Sequence, residues 1–185
     1  MNNDRPRVGW MDTTQTYGRI SRALHWGLAM LILWQFLGMA VKLILGRVPL
    51  AGFFVGLHQP VGLAIFTLVG LRVLWALLNR GHRPGHGAGV VGLAARVGHL
   101  VLYALMVIVP LLALLRAYGN SRAFAPWGFE IFAPRAEEIT WMVGLGNAAH
   151  GVLAWAFLVL IAGHVATALV HQIVLRDGTL RRMAR

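Results

Sequence analysis

Two histidines fourteen residues apart, His150 and His164, sit in one apolar stretch that runs from Ile139 to Val174. Fourteen helical steps of about 100° return to within roughly 40° of the starting face, and a rise of about 1.5 Å per residue separates the two rings by roughly 21 Å. Two imidazoles then point the same way at two depths. In a bilayer such a helix offers one axial ligand to each of two haems stacked across the membrane. Each iron needs a second ring opposite, with about 4 Å between the two ligating nitrogens.

Those rings need helices to carry them, and the composition supplies membrane helices. Hydrophobic residues make up 58% of the chain and charged residues 12%, with a mean hydropathy of +0.66. That is too apolar for an ordinary soluble domain of this size. Four stretches, residues 23–45, 53–78, 93–115 and 141–173, exceed the roughly 20 residues that a helix needs to cross a bilayer core of about 30 Å. The expected fold is an all-α membrane protein, a bundle of four transmembrane helices, with residues 1–185 forming a single integral membrane domain. The first stretch follows a polar leader containing Asp4 and Asp12 and lacks a small-residue cleavage pattern, so it reads as a retained span and not as a signal peptide. Cysteine is absent, which excludes disulfides, thiolate-bound zinc, iron–sulfur clusters and covalently attached haem. Any metal must be held by histidine or carboxylate.

Charge sets the orientation. Four spans put both termini and the link 79–92 on one side, which carries Arg5, Arg7, Arg19, Arg22, Arg80, Arg83, Arg96, Arg176, Arg181, Arg182 and Arg185. The other side carries Lys42, Arg47, Arg116, Arg122 and Arg135. The positive-inside rule therefore places both termini in the cytoplasm. The net charge of +11 follows from this asymmetry, because the arginines are dispersed beside apolar spans; no nucleic-acid-binding face is expected. The Gly/Pro/His-rich segment 80–89 reads as a flexible link in which His82 and His86 are solvent-exposed, and 119–135 as an irregular outer loop. Pro110 falls inside the third span, where it frees a backbone carbonyl.

With depth assigned, the histidines sort themselves. His58 lies near the outer end of the second span and His150 at a matching depth in the fourth, and these are the two histidines of the outer half. The inner half holds His25, His99, His164 and His171. His164 is one haem spacing from His150, and His171 lies a further seven residues, roughly 10 Å, toward the cytoplasm. The partner of His164 is either His25 or His99, and periodicity does not choose between them. Arg72 follows His58 by fourteen residues and so shares its helical face one haem spacing deeper. A charge there needs a partner such as a haem propionate, unless it snorkels to the interface.

Several segments carry a resemblance that covers nearly the whole chain. They are Tyr-Gly-Arg-Ile-Ser-Arg-Ala-Leu-His-Trp around His25, Gly-Leu-His around His58 with Gly62 and Arg72 behind it, Gly-His-Leu-Val-Leu-Tyr around His99, and the run from His150 through Gly-His164 and His171 to Arg-Asp-Gly-Thr-Leu-Arg-Arg-Met. Together they resemble the bacterial cytochrome b561 family. The resemblance implies a four-helix bundle that binds two haem b groups non-covalently, with His25 and His164 ligating the cytoplasmic-side iron and His58 and His150 the outer one. The small pair Ala148-Ala149 before His150 departs from the bulkier residue often found there.

Iron with two axial imidazoles has no open position for oxygen activation, so the expected role is electron transfer between haem edges and an outside partner. The resemblance implies exchange with ubiquinone or ubiquinol in the bacterial inner membrane, and an oxidoreductase that oxidises superoxide and reduces ubiquinone. The outer cations Lys42, Arg47, Arg116, Arg122 and Arg135 form a rim able to steer a small anion. His99 and His171 are candidates for a quinone pocket, since a histidine can donate a hydrogen bond to a quinone carbonyl and exchange protons near neutral pH. The alternative is a haem-bearing anchor that relays electrons for a redox partner subunit of a larger respiratory enzyme. A histidine-based proton or metal transporter fits poorly, because the four spans contain no Asp or Glu.

Overall fold

The computed structural model describes residues 9–85, 87 and 89–184. Arg5, Arg7, His86 and Arg185 lie outside the described residues. Four long helices form the body: α1 (Arg19–Leu45), α2 (Pro49–Leu78), α3 (Gly89–Gly119) and α4 (Thr140–Val170), followed by a π-helical turn (His171–Leu175) and a short α5 (Arg181–Ala184). All four are long and apolar enough to cross a membrane. α1, α2 and α3 each contain one expected span and continue about a turn beyond it, while the fourth span, 141–173, is covered by α4 together with the π-helical turn. Helices do not stop where hydrocarbon ends, because backbone hydrogen bonds still favour helix in the interfacial layer.

Local chemistry sets the boundaries. α1 stops at Gly46, whose φ of 68° suits a residue without Cβ, and α2 opens with Pro49 in its first turn, where the missing N–H costs nothing. α2 also contains Pro60 and α3 contains Pro110. The outer loop is more ordered than the sequence suggests. Phe124 and Phe132 form an antiparallel bridge with their rings stacked at 5.6 Å, around a tight turn at Pro126–Gly128.

The helices pair as two hairpins, α1 along α2 and α3 along α4, and the hairpins meet each other more sparsely, chiefly through α2 and α3. Glycines permit the close approaches within a hairpin. A Cβ on Gly38 would come within 2.9 Å of Phe54, and one on Gly146 within 2.6 Å of the Arg116 Cβ. Bare backbone at a contact is the usual device of helices whose packing gains nothing from excluding water. Between the hairpins lies a mid-height core of Leu28, Ile32, Ile65, Val69, Leu105, Val109 and Phe157. Outward, Val90, Leu100, Val152 and Val159 are among many large apolar side chains left more than 60% exposed, as a bilayer-facing surface requires.

Both termini and the α2–α3 link meet at one end. Asp12 is buried there, accepting hydrogen bonds from the Gly18 amide (2.8 Å) and the Ser21 hydroxyl (2.8 Å), and pairing with Arg83 of the link at 3.0 Å. Ser21 also accepts from the Trp75 indole on α2, and Asn79 is fully buried beside this network. The C-terminal segment closes over it: Tyr17 N donates to the Arg182 carbonyl, and Arg22 Nε and Trp26 Nε1 both donate to that of Met183. Burial pushes the Tyr17 phenol up, and the neighbouring Arg83 opposes that shift.

Candidate haem-binding levels in the bundle

On α4 the residues Val143, His150, Phe157 and His164 recur every seven positions, and His171 continues the step in the π-helical turn. Seven steps miss two full turns by only about 20°, so these side chains share one stripe. Phe157 is buried halfway between His150 and His164, with its ring 6.0 Å from Phe36 of α1. Apolar core therefore separates two levels of histidine. At each level the rings, not the backbones, bridge one hairpin to the other.

At the level farther from the Asp12 end, called the outer level after the expected orientation, the rings of His58 and His150 face each other with centroids 6.1 Å apart. His150 Nδ1 lies 2.9 Å from the Val109 carbonyl oxygen on α3. A carbonyl only accepts, so Nδ1 carries the proton and Nε2 keeps its lone pair, the tautomer a metal ligand needs. His58 is half-buried, its Nδ1 has no hydrogen-bond partner, and its main-chain carbonyl accepts from Gln35 Nε2 at 2.8 Å. That contact ties α1 to α2 beside the ring. Arg116 Nη1 donates to Asn147 Oδ1 at 3.3 Å, one turn before His150.

The inner level gathers three rings. His25 and His164 stand 6.4 Å apart, and His99 approaches His164 to 5.3 Å. Two imidazoles on one iron, with metal–nitrogen bonds of about 2 Å, place their centroids roughly 6.3 Å apart. The His58–His150 and His25–His164 separations have that length and the His99–His164 separation is shorter. His99 Nδ1 faces the Ala95 carbonyl at 2.6 Å, so it too keeps Nε2 unprotonated by the same argument. Arg72 does not turn toward the interface: its Nε donates to the Tyr103 hydroxyl at 2.8 Å, and its Nη1 is buried without a hydrogen-bond partner.

His171 is not drawn into this cluster. The π-helical turn and Arg176, in left-handed conformation at φ 51°, fold the chain back so that His171 Nδ1 meets Asp177 Oδ2 at 2.6 Å. Hydrogen bonds from His171 and from Thr179 hold the Asp177 carboxyl far below the usual carboxylate range. His82 is exposed in the link, as expected.

Haem fits these donor sets. Each level presents two imidazoles, and a buried guanidinium nitrogen with no partner suits a carboxylate such as a propionate. Among the described residues, no group of three or more His, Asp or Glu side chains is arranged to cage a bare metal ion. Gln35, Asp12, Asp177 and Tyr103 also take part, with no role at the site expected of them from the sequence. Tyr103 had a visible signal, since it follows His99 by four residues and so stands on the same face one turn away.

The model of the prokaryotic cytochrome b561 family matches residues 16–185. The chain belongs to that family. Relatives include cytochrome b561 homolog 2 of Escherichia coli (strain K12), 30% identical over 186 residues and covering 95% of each chain. Cytochrome b562 of Cereibacter sphaeroides is 31% identical over 180 residues, 91% of this chain and 95% of that one. The probable superoxide oxidase of Yersinia pestis is 28% identical over 178 residues, 90% and 94%. Membership of the cytochrome b561 family makes this a multi-pass bacterial membrane protein that carries haem b and transfers electrons. Asp12 itself precedes the matched segment, while its partners Gly18, Ser21 and Arg83, with which it clasps the end of the bundle, lie within it.

Proposed function

We propose that this b561-family protein binds two haem b groups, which His58 and His150 would hold at the outer level and His25 and His164 at the inner one, and that it carries electrons from superoxide to ubiquinone, two superoxide anions being oxidised to dioxygen for each ubiquinone that takes up two electrons and two protons. The observation that carries the reading is the pair of ring separations, 6.1 and 6.4 Å, at two levels of one α4 stripe. When bound, haem supplies a one-electron iron couple at each level. The likeness to a protein named a probable superoxide oxidase supports the donor. In this reading the basic side, with both termini, is cytoplasmic and the membrane is the inner one, as the arginine asymmetry implies.

The side chains have distinct tasks. The Val109 carbonyl fixes the proton on His150 Nδ1 and aims Nε2 at the metal; backbone acceptors of this kind orient ligands and raise their basicity. The core around Phe157 excludes water between the two levels. Lys42 and Arg116 raise the local concentration of a small anion at the outer end. Arg72 takes a carboxylate at the inner level. At the cytoplasmic end the ionised Asp177 can only accept, so His171 Nδ1 bears the proton and Nε2 is left to exchange protons with a quinone headgroup; His99 is the second candidate for that pocket.

The test is a pyridine haemochrome assay with a redox titration, followed by reduction with generated superoxide and reoxidation by a short-chain ubiquinone. Two haems per chain and two potentials are expected. Reduction by superoxide should slow as ionic strength rises from 0.01 to 0.15 M, since the Debye length falls from about 30 to about 8 Å. One haem per chain would overturn the two-level reading. A slow, salt-independent reaction with superoxide would remove it as the donor and favour relay from a partner subunit.

A further inference from the structure

Among the described residues, the half-buried guanidinium of Arg72 is held by one side chain. Its Nε donates to the Tyr103 hydroxyl across 2.8 Å, and its Cζ lies 5.5 Å from the centroid of the same ring. Arg72 belongs to α2 and Tyr103 to α3, so the contact crosses between the hairpins. Arg72 remains charged at any relevant pH, and a buried charged N–H without an acceptor is costly. Nη1 is such a group. Tyr103 stands one turn beyond His99 on α3, and the His99 ring lies 5.3 Å from that of His164. At the outer level, by contrast, Arg116 bonds to the exposed Asn147.

We infer that Tyr103 is a positioning residue for the inner haem: by accepting from Nε and covering one face of the guanidinium, it leaves the η nitrogens of Arg72 to a carboxylate and fixes a positive charge beside the inner iron. Arg has five donors in a rigid fork, and holding Nε fixes the direction of the other four. The ring contact adds cation–π attraction and keeps water from the cation. A fixed positive charge favours the ferrous over the ferric centre, so Tyr103 acts through Arg72 to raise the inner potential. This rests on the reading that Arg72 serves the inner haem.

The test is a redox titration of the purified holoprotein and its Arg72→Gln, Tyr103→Phe and double variants, the inner potential being identified by its loss in His164→Ala. Arg72→Gln should shift the inner reduction equilibrium about tenfold toward ferric, equivalent to about 59 mV for one electron. Tyr103→Phe keeps the ring and removes only the hydroxyl; it should shift the same equilibrium about threefold and leave the outer potential and the haem count unchanged. In the Arg72→Gln background Tyr103→Phe should add nothing, because no guanidinium remains to be held. An unshifted Tyr103→Phe beside a shifted Arg72→Gln overturns the role of Tyr103, and so do fully additive shifts. An unshifted Arg72→Gln overturns the reading of Arg72 itself. If Tyr103→Phe loses the inner haem, Tyr103→Gln, which restores an acceptor, should retain it; loss in both overturns the inference.

Discussion

At the outer level two histidines face each other, one braced by a backbone carbonyl, whereas at the inner level three rings, a guanidinium and a phenol share the space. The outer site is built with little redundancy. Backbone acceptors move only when a helix moves, so its geometry is fixed by the α3–α4 packing around Gly146 and Val109. The inner site is held by side chains that come from α1, α2, α3 and α4, and the clasp of both termini lies over that end. Loss of a ligand should empty either level, whereas substitution of the side chains around the ligands should act in graded steps at the inner one.

The largest effect should come from His58→Ala and His150→Ala. Each is expected to lower the haem content from two to one per chain by pyridine haemochrome, because no other described histidine lies at that depth. Two spectroscopically normal haems in either variant would erase the distinction between the levels. His25→Ala and His164→Ala should likewise remove the inner haem, while His99→Ala keeps both and slows electron exchange with quinone in stopped-flow measurements. Loss of a haem in His99→Ala but not in His25→Ala would exchange their roles.

Smaller effects test how the inner end is held. Asp12→Ala leaves the Gly18 amide and the Ser21 hydroxyl without their acceptor and Arg83 without its counter-ion. Arg83 is partly exposed, so water recovers part of the loss, and a cost of about 2 kcal/mol is expected. Thermal unfolding in detergent should show it, with the inner haem band lost before the outer one. Simultaneous loss would mean that the clasp stabilises the bundle as a whole. The mildest change, Gln35→Leu, removes one hydrogen bond to the His58 carbonyl and should cost about 1 kcal/mol in the same assay. Its haem loss should begin at the outer level; loss beginning at the inner level would show that Gln35 does not brace His58.

The four spans were legible in the sequence because hydropathy and length are sums over neighbouring residues. The stacking of His150 and His164 on one face was equally legible, because helical rise and twist are local quantities. The matching depth of His58 and the fourteen-residue step to Arg72 follow from the same arithmetic. The arithmetic ends where one helix meets another. Rotation about each axis is set by packing at Gly38 against Phe54 and Gly146 against Arg116, and no periodicity within a single helix encodes it. Only the tertiary structure decided that His25 and His99 both reach His164, that a carbonyl on α3 braces His150, and that Arg72 turns inward to Tyr103. Asp12 shows the same division: in the sequence it is an acid in a polar leader, and it is buried only because Ser21, nine residues on, and Asn79 and Arg83, far along the chain, close around it with their hydrogen bonds.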